Sequence, residues 1–373
     1  MDRPLNIALV EPFYTGSHRQ WAEGLRTHSR HNIEIFSLPG RHWKWRMHGA
    51  AITLAREINN TDAKFDAFLA TDMLDVATFK SLLDPRFADI PIATYFHENQ
   101  LTYPWSPDDQ DVDLGRDRHY GWINYTTALL SDQVWFNSHF HYDSFQRSLK
   151  DYLAAFPDHR NMETLDRIRE ASSVLPLGLD LRPFRDTGKS STNEVPVLLW
   201  NHRWEYDKNP EAFFLLCRRL KARDLKFKLI VCGEHNKRHP AIFDVAYDEF
   251  QKEFLHWGYA EDQQQYTRLL ASADIIPVTS NQDFFGGSAV EAIAAGCLPI
   301  LPDRLAFPEH LPEDYRSTLT YETNDDLYSL AVQIIQGELQ VPTAPLRKYV
   351  ERYDWMEVVE QYDKRVESLE LRV

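Results

Sequence analysis

The stretch Asp274–Ile300 constrains the fold more than any other part of the chain. It opens on Ile275-Ile276-Pro277-Val278, an apolar run of the length of a buried strand. Gln282, Asp283, Phe284, Phe285, Gly286 and Gly287 follow, and the paired glycines permit a tight backbone turn. Ser288 to Glu291 then reads as a capping box, S-x-x-E, which predicts a helix N-terminus there and a helix ending near Gly296. Leu298-Pro299-Ile300-Leu301 begins a further strand. The result is a strand–loop–helix–strand unit in which Asp283 and Glu291 lie on either side of a glycine turn. Amides at such a helix start attract anions such as phosphate. Taken alone, Glu291 reads equally well as a capping residue with no further role.

At 373 residues the chain accommodates two domains of ordinary size. With 43% hydrophobic and 26% charged residues it has the composition of a soluble globular protein. No run approaches the roughly 18 apolar residues that span a membrane. Asn6–Val10 reads as a strand at the start of the sequence, where a secretory signal would need an apolar h-region. The cysteines Cys217, Cys232 and Cys297 lie far apart in apolar surroundings, as reduced core residues of a cytoplasmic protein do. A net charge of −15 argues against broad binding to nucleic acid. One window runs against that trend. Between Glu34 and Glu57 there is no acid, while Arg41, His42, Lys44, Arg46, His48 and Arg56 are interleaved with Trp43 and Trp45. Phosphate contacts and base stacking can be combined on such a patch, so a specific anionic partner is one reading. A solvated loop with two half-buried tryptophans is the other.

Strands expected at Asn6–Val10, Ile33–Leu38, Phe65–Ala70, Ile90–Phe96 and Gln133–Asn137 alternate with helical segments, including Ala50–Ile58 after the basic loop and Tyr120–Leu130. This alternation predicts a doubly wound parallel sheet. After the first strand, Ser17 to Gln20 reads as a second capping box and sets Gly16 and Ser17 at a helix start where phosphate could dock. The Ile90 strand delivers His97, Glu98, Asn99 and Gln100 at its C-terminal end, where open α/β sheets bind ligands. Asp111-Val112-Asp113 has the form of a metal-binding D-x-D, but it lies in the acidic stretch Asp108–Asp117 and reads as a solvated loop. The pairs His139/His141 and His235/His239 bring no third ligand at a recognisable offset, so no metal is expected.

Arg185–Glu194 is a polar, Gly/Ser/Thr-containing linker, which places a first domain at residues 1–185 and a second at 186–354. The second begins with Val195–Trp200 and runs into Arg203, Lys208, Asn209 and Pro210. Asn209 is a natural N-cap with Pro210 in the first helical position. Arg203 as a fork and Lys208 as a point charge would together suit a diphosphate, or Arg203 could pair with Glu205 or Asp207 on the surface. Phe227–Cys232 is a further strand, and the final segment near Trp355–Leu369 is an amphipathic helix.

The spacing of Asp283 and Glu291 resembles the E-x7-E signature of glycosyltransferase family 4, whose members are retaining enzymes of the GT-B fold, two Rossmann-like domains facing a cleft. Here the first acid is Asp, which shortens its reach. Val174-Leu-Pro-Leu-Gly178-Leu-Asp180 resembles the segment that closes the first domain of that fold, and the C-terminal helix 355–373 is then expected to cross back onto that domain. A narrower resemblance rests on Gly16-Ser-His18, His42-Trp-x-Trp45, Phe96-His-Glu-Asn-Gln-Leu101 with Tyr103-Pro104, and Pro157-Asp-His-Arg160. It continues in His202-Arg-Trp-Glu205 with Asp207-Lys208, His256-Trp-Gly-Tyr259 and Phe284-Phe-Gly286. Together these blocks resemble the tRNA-queuosine α-mannosyltransferases. The resemblance implies mannose transfer from GDP-mannose to queuosine at the wobble position of aspartate tRNA, with retention of configuration.

On that footing Glu291 holds the nucleotide ribose and Asp283 the donor sugar. Gly258 and Tyr259 sit at the nucleobase turn. Arg203, Lys208 and the amides of Phe285, Gly286 and Gly287 stabilise the leaving diphosphate without a metal or other cofactor. His97 meets the sugar or the attacking hydroxyl, Glu98, Asn99 and Gln100 meet the acceptor base, and Arg41, His42, Lys44 and Arg46 meet acceptor phosphates. Two rival classes remain open: a glycosyltransferase acting on a lipid or polysaccharide, and a non-catalytic protein that binds a nucleotide sugar or tRNA.

Overall fold

A computed structural model describes residues 3–106, 109–113, 117–186, 193–234 and 239–370. Most of the expected linker, His235 and parts of the acidic stretch lie outside them. The chain divides into two compact units, residues 1–179 with 355–373, and residues 180–354.

The first unit is built on six parallel strands, β1 (Asn6–Tyr14), β2 (Asn32–Pro39), β3 (Ala67–Thr71), β4 (Ile92–Phe96), β5 (Gln133–Phe136) and β6 (Ser172–Val174). Their order across the sheet is β2-β1-β3-β4-β5-β6, with Ile7 facing both Ile33 and Ala67 in register. β3, β4 and β5 are buried at every position, as expected of parallel strands covered on both faces. From β1 the chain turns first to one side and then, through β3, to the other. Such a reversal opens a crevice beyond the strand ends.

The second unit repeats the plan with β7 (Val197–Trp200), β8 (Lys228–Cys232), β9 (Phe254–Gly258), β10 (Ile275–Pro277), β11 (Leu298–Pro302) and β12 (Thr320–Tyr321), in the order β12-β11-β10-β7-β8-β9. Its reversal lies between β7 and β10. The core beneath it stacks Trp200, Trp204, Phe213, Phe214 and Phe243, with the Trp204 and Phe243 rings 4.2 Å apart and parallel to within 3°.

The helix Trp355–Glu370 packs within the first unit, far from its neighbours in sequence. Trp355 donates its backbone N–H to the Leu179 carbonyl at 2.9 Å. A Cβ on Gly24 would lie 2.1 Å from the Trp355 ring, and one on Gly178 2.6 Å from it. Both glycines are therefore sites of close approach, where any side chain would displace the indole. Two turns further on, the Tyr362 hydroxyl donates to the Pro176 carbonyl at 2.8 Å and accepts from Trp21 Nε1 at 3.1 Å.

Three local expectations are corrected. The helix Gly287–Ala295 starts from Gly286, which is left-handed at φ 84°, and no side chain caps it, so Ser288 and Glu291 form no capping box. The helix Gly16–His28 likewise starts from Thr15 without a side-chain cap, so Ser17 and Gln20 form none either. In both cases a glycine moves the helix start upstream of the serine and leaves its hydroxyl for other work. The basic window is a loop only at Arg41 and His42. Trp43, Lys44, Trp45 and Arg46 form the first turn of the helix Trp43–Asn59, entered through left-handed His42 at φ 57°.

Candidate active site

The side chains expected at the donor site gather at the second unit's reversal point. Beyond β7, Asn201 Nδ2 donates to the Ser288 carbonyl at 2.9 Å and to the Tyr266 hydroxyl at 3.1 Å. Tyr266 in turn donates to Glu291 Oε2 at 2.7 Å. Burial pushes the Glu291 carboxyl up to about 7, and only the Tyr266 hydrogen bond works against the shift. His202 Nδ1 shares a hydrogen bond of 2.8 Å with Ser288 Oγ, the hydroxyl that capping would otherwise have used. Burial lowers the His202 imidazole to about 4, so the ring is neutral.

Beyond β10, Asp283 meets Lys208, whose Nζ lies 3.1 Å from Asp283 Oδ2 and 3.1 Å from Asp207 Oδ2 and donates to the Gln282 carbonyl at 2.7 Å. Burial works against this ammonium, but Asp283 and Asp207 override it and hold its pKa above the ordinary lysine value. Asn209 caps the helix Pro210–Ala222 as the sequence predicts, accepting from Ala212 N at 3.3 Å. Arg203 is half exposed and lies 3.4 Å from Glu205. The turn at Phe285–Gly287 is braced from behind. His310 Nε2 donates to the Phe285 carbonyl, and a Cβ on Gly286 would lie 2.7 Å from the Phe307 ring. Gly258, the last residue of β9, has a positive φ of 108°, and Tyr259 next to it is exposed.

The first unit's reversal point holds a different set. Glu11 on β1 accepts from Phe13 N at 2.8 Å and from His18 Nδ1 at 3.1 Å. The His18 ring lies 4.2 Å from that of His97, tilted by 35°. His97 is fixed from three further directions. Its N–H donates to Asp72 Oδ1 at 2.7 Å, its carbonyl accepts from Asn137 Nδ2 at 2.9 Å, and the Trp21 and Tyr95 rings meet it edge-on. Glu11, His18 and His97 also bring one potential metal ligand each within 4.8 Å, a trio that no sequence spacing announces. Burial opposes the His18 proton, yet Glu11, then Asp72 and Glu98, raise its pKa to about 9. His97 is held well below the ordinary histidine value by burial and then by His18 and His141. Burial also lifts Asp72 to about 8, against the pull of His18.

The remaining sequence-predicted residues also belong to the first unit. Asn99 is fully buried and closes its own turn, its Oδ1 accepting from Leu101 N, Thr102 N and Thr102 Oγ1. Gln100 Nε2 donates to Glu98 Oε1 at 2.9 Å. Gly16 and Ser17 are exposed at the start of their helix. In the basic window Arg41 and His42 are exposed, and Arg46 Nε donates to the Pro39 carbonyl. Lys44 is not an open cation. Its Nζ lies 2.6 Å from both Asp109 Oδ1 and Asp111 Oδ2, so the window is free of acid in sequence and not in space. Asp111 therefore belongs to a short helix, Gln110–Asp113, that neutralises Lys44, and is no solvated loop residue. Glu11, His18, Asp72, His202 and Tyr266 are site residues that reading by spacing passes over. Only His18 and His202 stand inside motif blocks that could have flagged them.

The tRNA-queuosine alpha-mannosyltransferase N-terminal profile matches residues 6–179, and that of glycosyl transferases group 1 matches residues 185–337. The tRNA-queuosine alpha-mannosyltransferase of Drosophila melanogaster is 33% identical over 318 residues, covering 83% of this chain and 82% of that protein. The chain belongs to the tRNA-queuosine alpha-mannosyltransferase family. It is a glycosyltransferase. A more distant relative, the GDP-mannose:cellobiosyl-diphosphopolyprenol alpha-mannosyltransferase of Xanthomonas campestris, is 25% identical over 65% of this chain and 64% of its own. Among solved structures, a sucrose-phosphate synthase of Thermosynechococcus elongatus superposes with a TM-score of 0.73 at 13% identity, over the whole of both chains. The fold is accordingly that of the GT-B glycosyltransferases, as the sequence predicted. Among the described residues no helix is long and apolar enough to cross a membrane.

Proposed function

We propose that this enzyme transfers mannose from GDP-mannose to the queuosine base at the wobble position of aspartate tRNA, with retention of configuration. The observation that carries the donor half is the Lys208–Asp283 pair at 3.1 Å, its lysine buried and its carboxylate partly exposed, set beside the glycine turn that leads to Glu291. In this reading Glu291 accepts the ribose hydroxyls and Asp283 the sugar hydroxyls. Lys208, Arg203 and the amides at the start of the helix Gly287–Ala295 take up the charge that develops on the diphosphate. The acceptor oxygen attacks the anomeric carbon on the face from which the diphosphate leaves. The carbon–oxygen bond to phosphate breaks as the new glycosidic bond forms, and the hydroxyl proton passes to the departing phosphate oxygen. No separate protein base is then required, unlike in the two-carboxylate glycosidases, and no metal is needed to neutralise the leaving group.

The acceptor half is supported by kinship with the fly enzyme, whose name specifies tRNA queuosine, and by the basic helix start at Arg41–Arg46. Three free, buried thiols fit a reducing compartment, which supports a cytoplasmic setting for the reaction. Incubation with radiolabelled GDP-mannose and bulk tRNA tests the whole reading. Label should enter tRNA that carries queuosine and not tRNA from cells deprived of it. Equal labelling of both, or of neither, would overturn it. The relationship to the Xanthomonas enzyme favours one second reading, a lipid-linked saccharide as acceptor. Label recovered in an organic extract of added polyprenol-linked saccharide, and not in tRNA, would select it.

A further inference from the structure

Glu11 and His18 lie at the reversal point of the first sheet, and nothing in the reaction above gives them a part. Glu11 is wholly buried and His18 nearly so. A carboxylate and an imidazolium withdrawn from water are retained at a cost, and an apolar pair of the same volume is often no less stable. The pair is also a precise piece of geometry. One carboxylate oxygen is pinned by Phe13 N and the other by His18 Nδ1, so the ring plane of His18 is set by the backbone of β1. That ring lies against His97, whose far sides are closed by Trp21 and Tyr95 and whose main chain is held by Asp72 and Asn137. His97 Nε2 is buried and has no hydrogen-bond partner. An imidazole so enclosed, with one nitrogen unsatisfied, is arranged to meet a polar group that arrives from outside the protein.

We propose that Glu11 and His18 are a positioning pair for His97: the Glu11 carboxylate fixes the His18 ring, and that ring, stacked on His97, holds His97 Nε2 in place for a substrate hydroxyl. That His97 meets a hydroxyl of the sugar or acceptor is the expectation drawn from the sequence and rests on the function proposed above, while the pairing itself does not.

The charges around the two rings decide how the pair acts. His18 faces Glu11 on β1, Asp72 beyond β3 and Glu98 beyond β4, three carboxyl groups that favour its cation. His97 faces His18 and, from the helix His139–Ala154, His141. A cation 4.2 Å away opposes a second proton on His97, so the ring stays a neutral imidazole able to donate or accept a single hydrogen bond. The pair should work between the loss of the His18 proton, at about pH 9, and the far lower pH at which His97 takes one up.

Two measurements test the proposal. The first needs no variant. In the full chain labelled with 15N-histidine, His18 should report an imidazolium from pH 6 to 8 while His97 reports a neutral ring throughout. A neutral His18 at pH 7 would overturn the proposal, whatever the protein's substrate. So would a stoichiometric transition metal on the purified protein that shifts both resonances when chelated, because the trio would then be a metal site. The second uses His18→Gln and Glu11→Gln. Both should let His97 titrate at higher pH, and both should move the acid limb of kcat/KM upward, with kcat lowered at least tenfold and KM for GDP-mannose unchanged. If either variant fails to fold, the resonances of the parent protein still decide the matter. Folded variants in which His97 titrates as in the parent would reduce the pair to a core contact. Shifted His97 resonances without any change in turnover would keep the pairing and remove His97 from the reaction.

Discussion

At the second unit's reversal point Lys208 lies between Asp207 and Asp283, and the Asp283 carboxylate remains about one-fifth exposed. At the first unit's reversal point the cation is His18, and its partner Glu11 has no exposure at all. The two sheets have the same strand plan and the same kind of crevice, yet one ion pair is open at an edge and the other is shut. An open pair can exchange a partner for a ligand, because water or an incoming group can replace the lost contact. A closed pair cannot exchange without leaving a bare charge inside the protein. In the proposed reaction Lys208 and Asp283 therefore engage a charged donor directly, while the proposed Glu11–His18 pair acts through the ring beside it.

The sharpest way to break this contrast is Lys208→Ala. It leaves Asp207 and Asp283 facing each other around a buried gap, so it should cost about 3–5 kcal/mol of stability and abolish detectable GDP binding. Arg203→Ala is its control, since Arg203 is half exposed. It should weaken GDP by about 2–4 kcal/mol in calorimetric titration while leaving the melting temperature nearly unchanged. Equal effects of both substitutions on stability would mean that Lys208 is no more embedded than Arg203.

The next effect in size is at Glu291. Its carboxyl is raised to about 7, so between the ordinary glutamate range and that value the folded state binds more protons than the unfolded chain. Stability contributed by this group is therefore present at low pH and declines as pH rises toward 7. GDP binding should run the other way, strengthening as the carboxylate forms, if ribose hydroxyls donate to it. Glu291→Gln should flatten both slopes and weaken GDP at least about tenfold, or about 1.4 kcal/mol. Unchanged nucleotide affinity would leave Glu291 as the partner of Tyr266 and nothing more.

The smallest expected effect concerns the basic helix start. Replacing Arg41, Lys44 and Arg46 together with Ala should raise KM for tRNA and flatten its salt dependence, with donor affinity the same. Because Lys44 is already held by Asp109 and Asp111, Arg41→Ala with Arg46→Ala should reproduce nearly the whole change. Parental kinetics of the triple variant at every salt concentration would make the window a bystander.

The strands, their parallel order and the glycine turns could be read from the sequence because they depend on neighbours a few positions apart. Apolar runs announce β1, β4, β7 and β10, and the groups just beyond them mark the strand ends where ligands bind. What could not be read is who answers whom across the sheet. Ser288 and Glu291 have the spacing of a capping box, and local chemistry alone would pair them. The actual partners are His202 and Tyr266, brought in by other strand–helix units. Lys44 looks unopposed until residues more than sixty positions later fold over it. Asp72 stands among ordinary residues after β3, and only the sheet order brings it to His97.

Because the helix Trp355–Glu370 completes the first unit, that unit is finished only after the whole of the second has been synthesised. While a ribosome is translating the second unit, the first must wait with Trp21 and Tyr95 uncovered, since Tyr362, which meets both rings, lies 341 positions from Trp21. Closing so long a loop is slow, and a domain awaiting its final segment exposes apolar surface. The second unit, contiguous in sequence, can mature as soon as it has been made, whereas the first reaches its native state only once the helix Trp355–Glu370 is free to dock. Chaperone dependence during synthesis should accordingly belong to the N-terminal half. A synonymous slowdown late in the message would lengthen its exposure without altering a single residue.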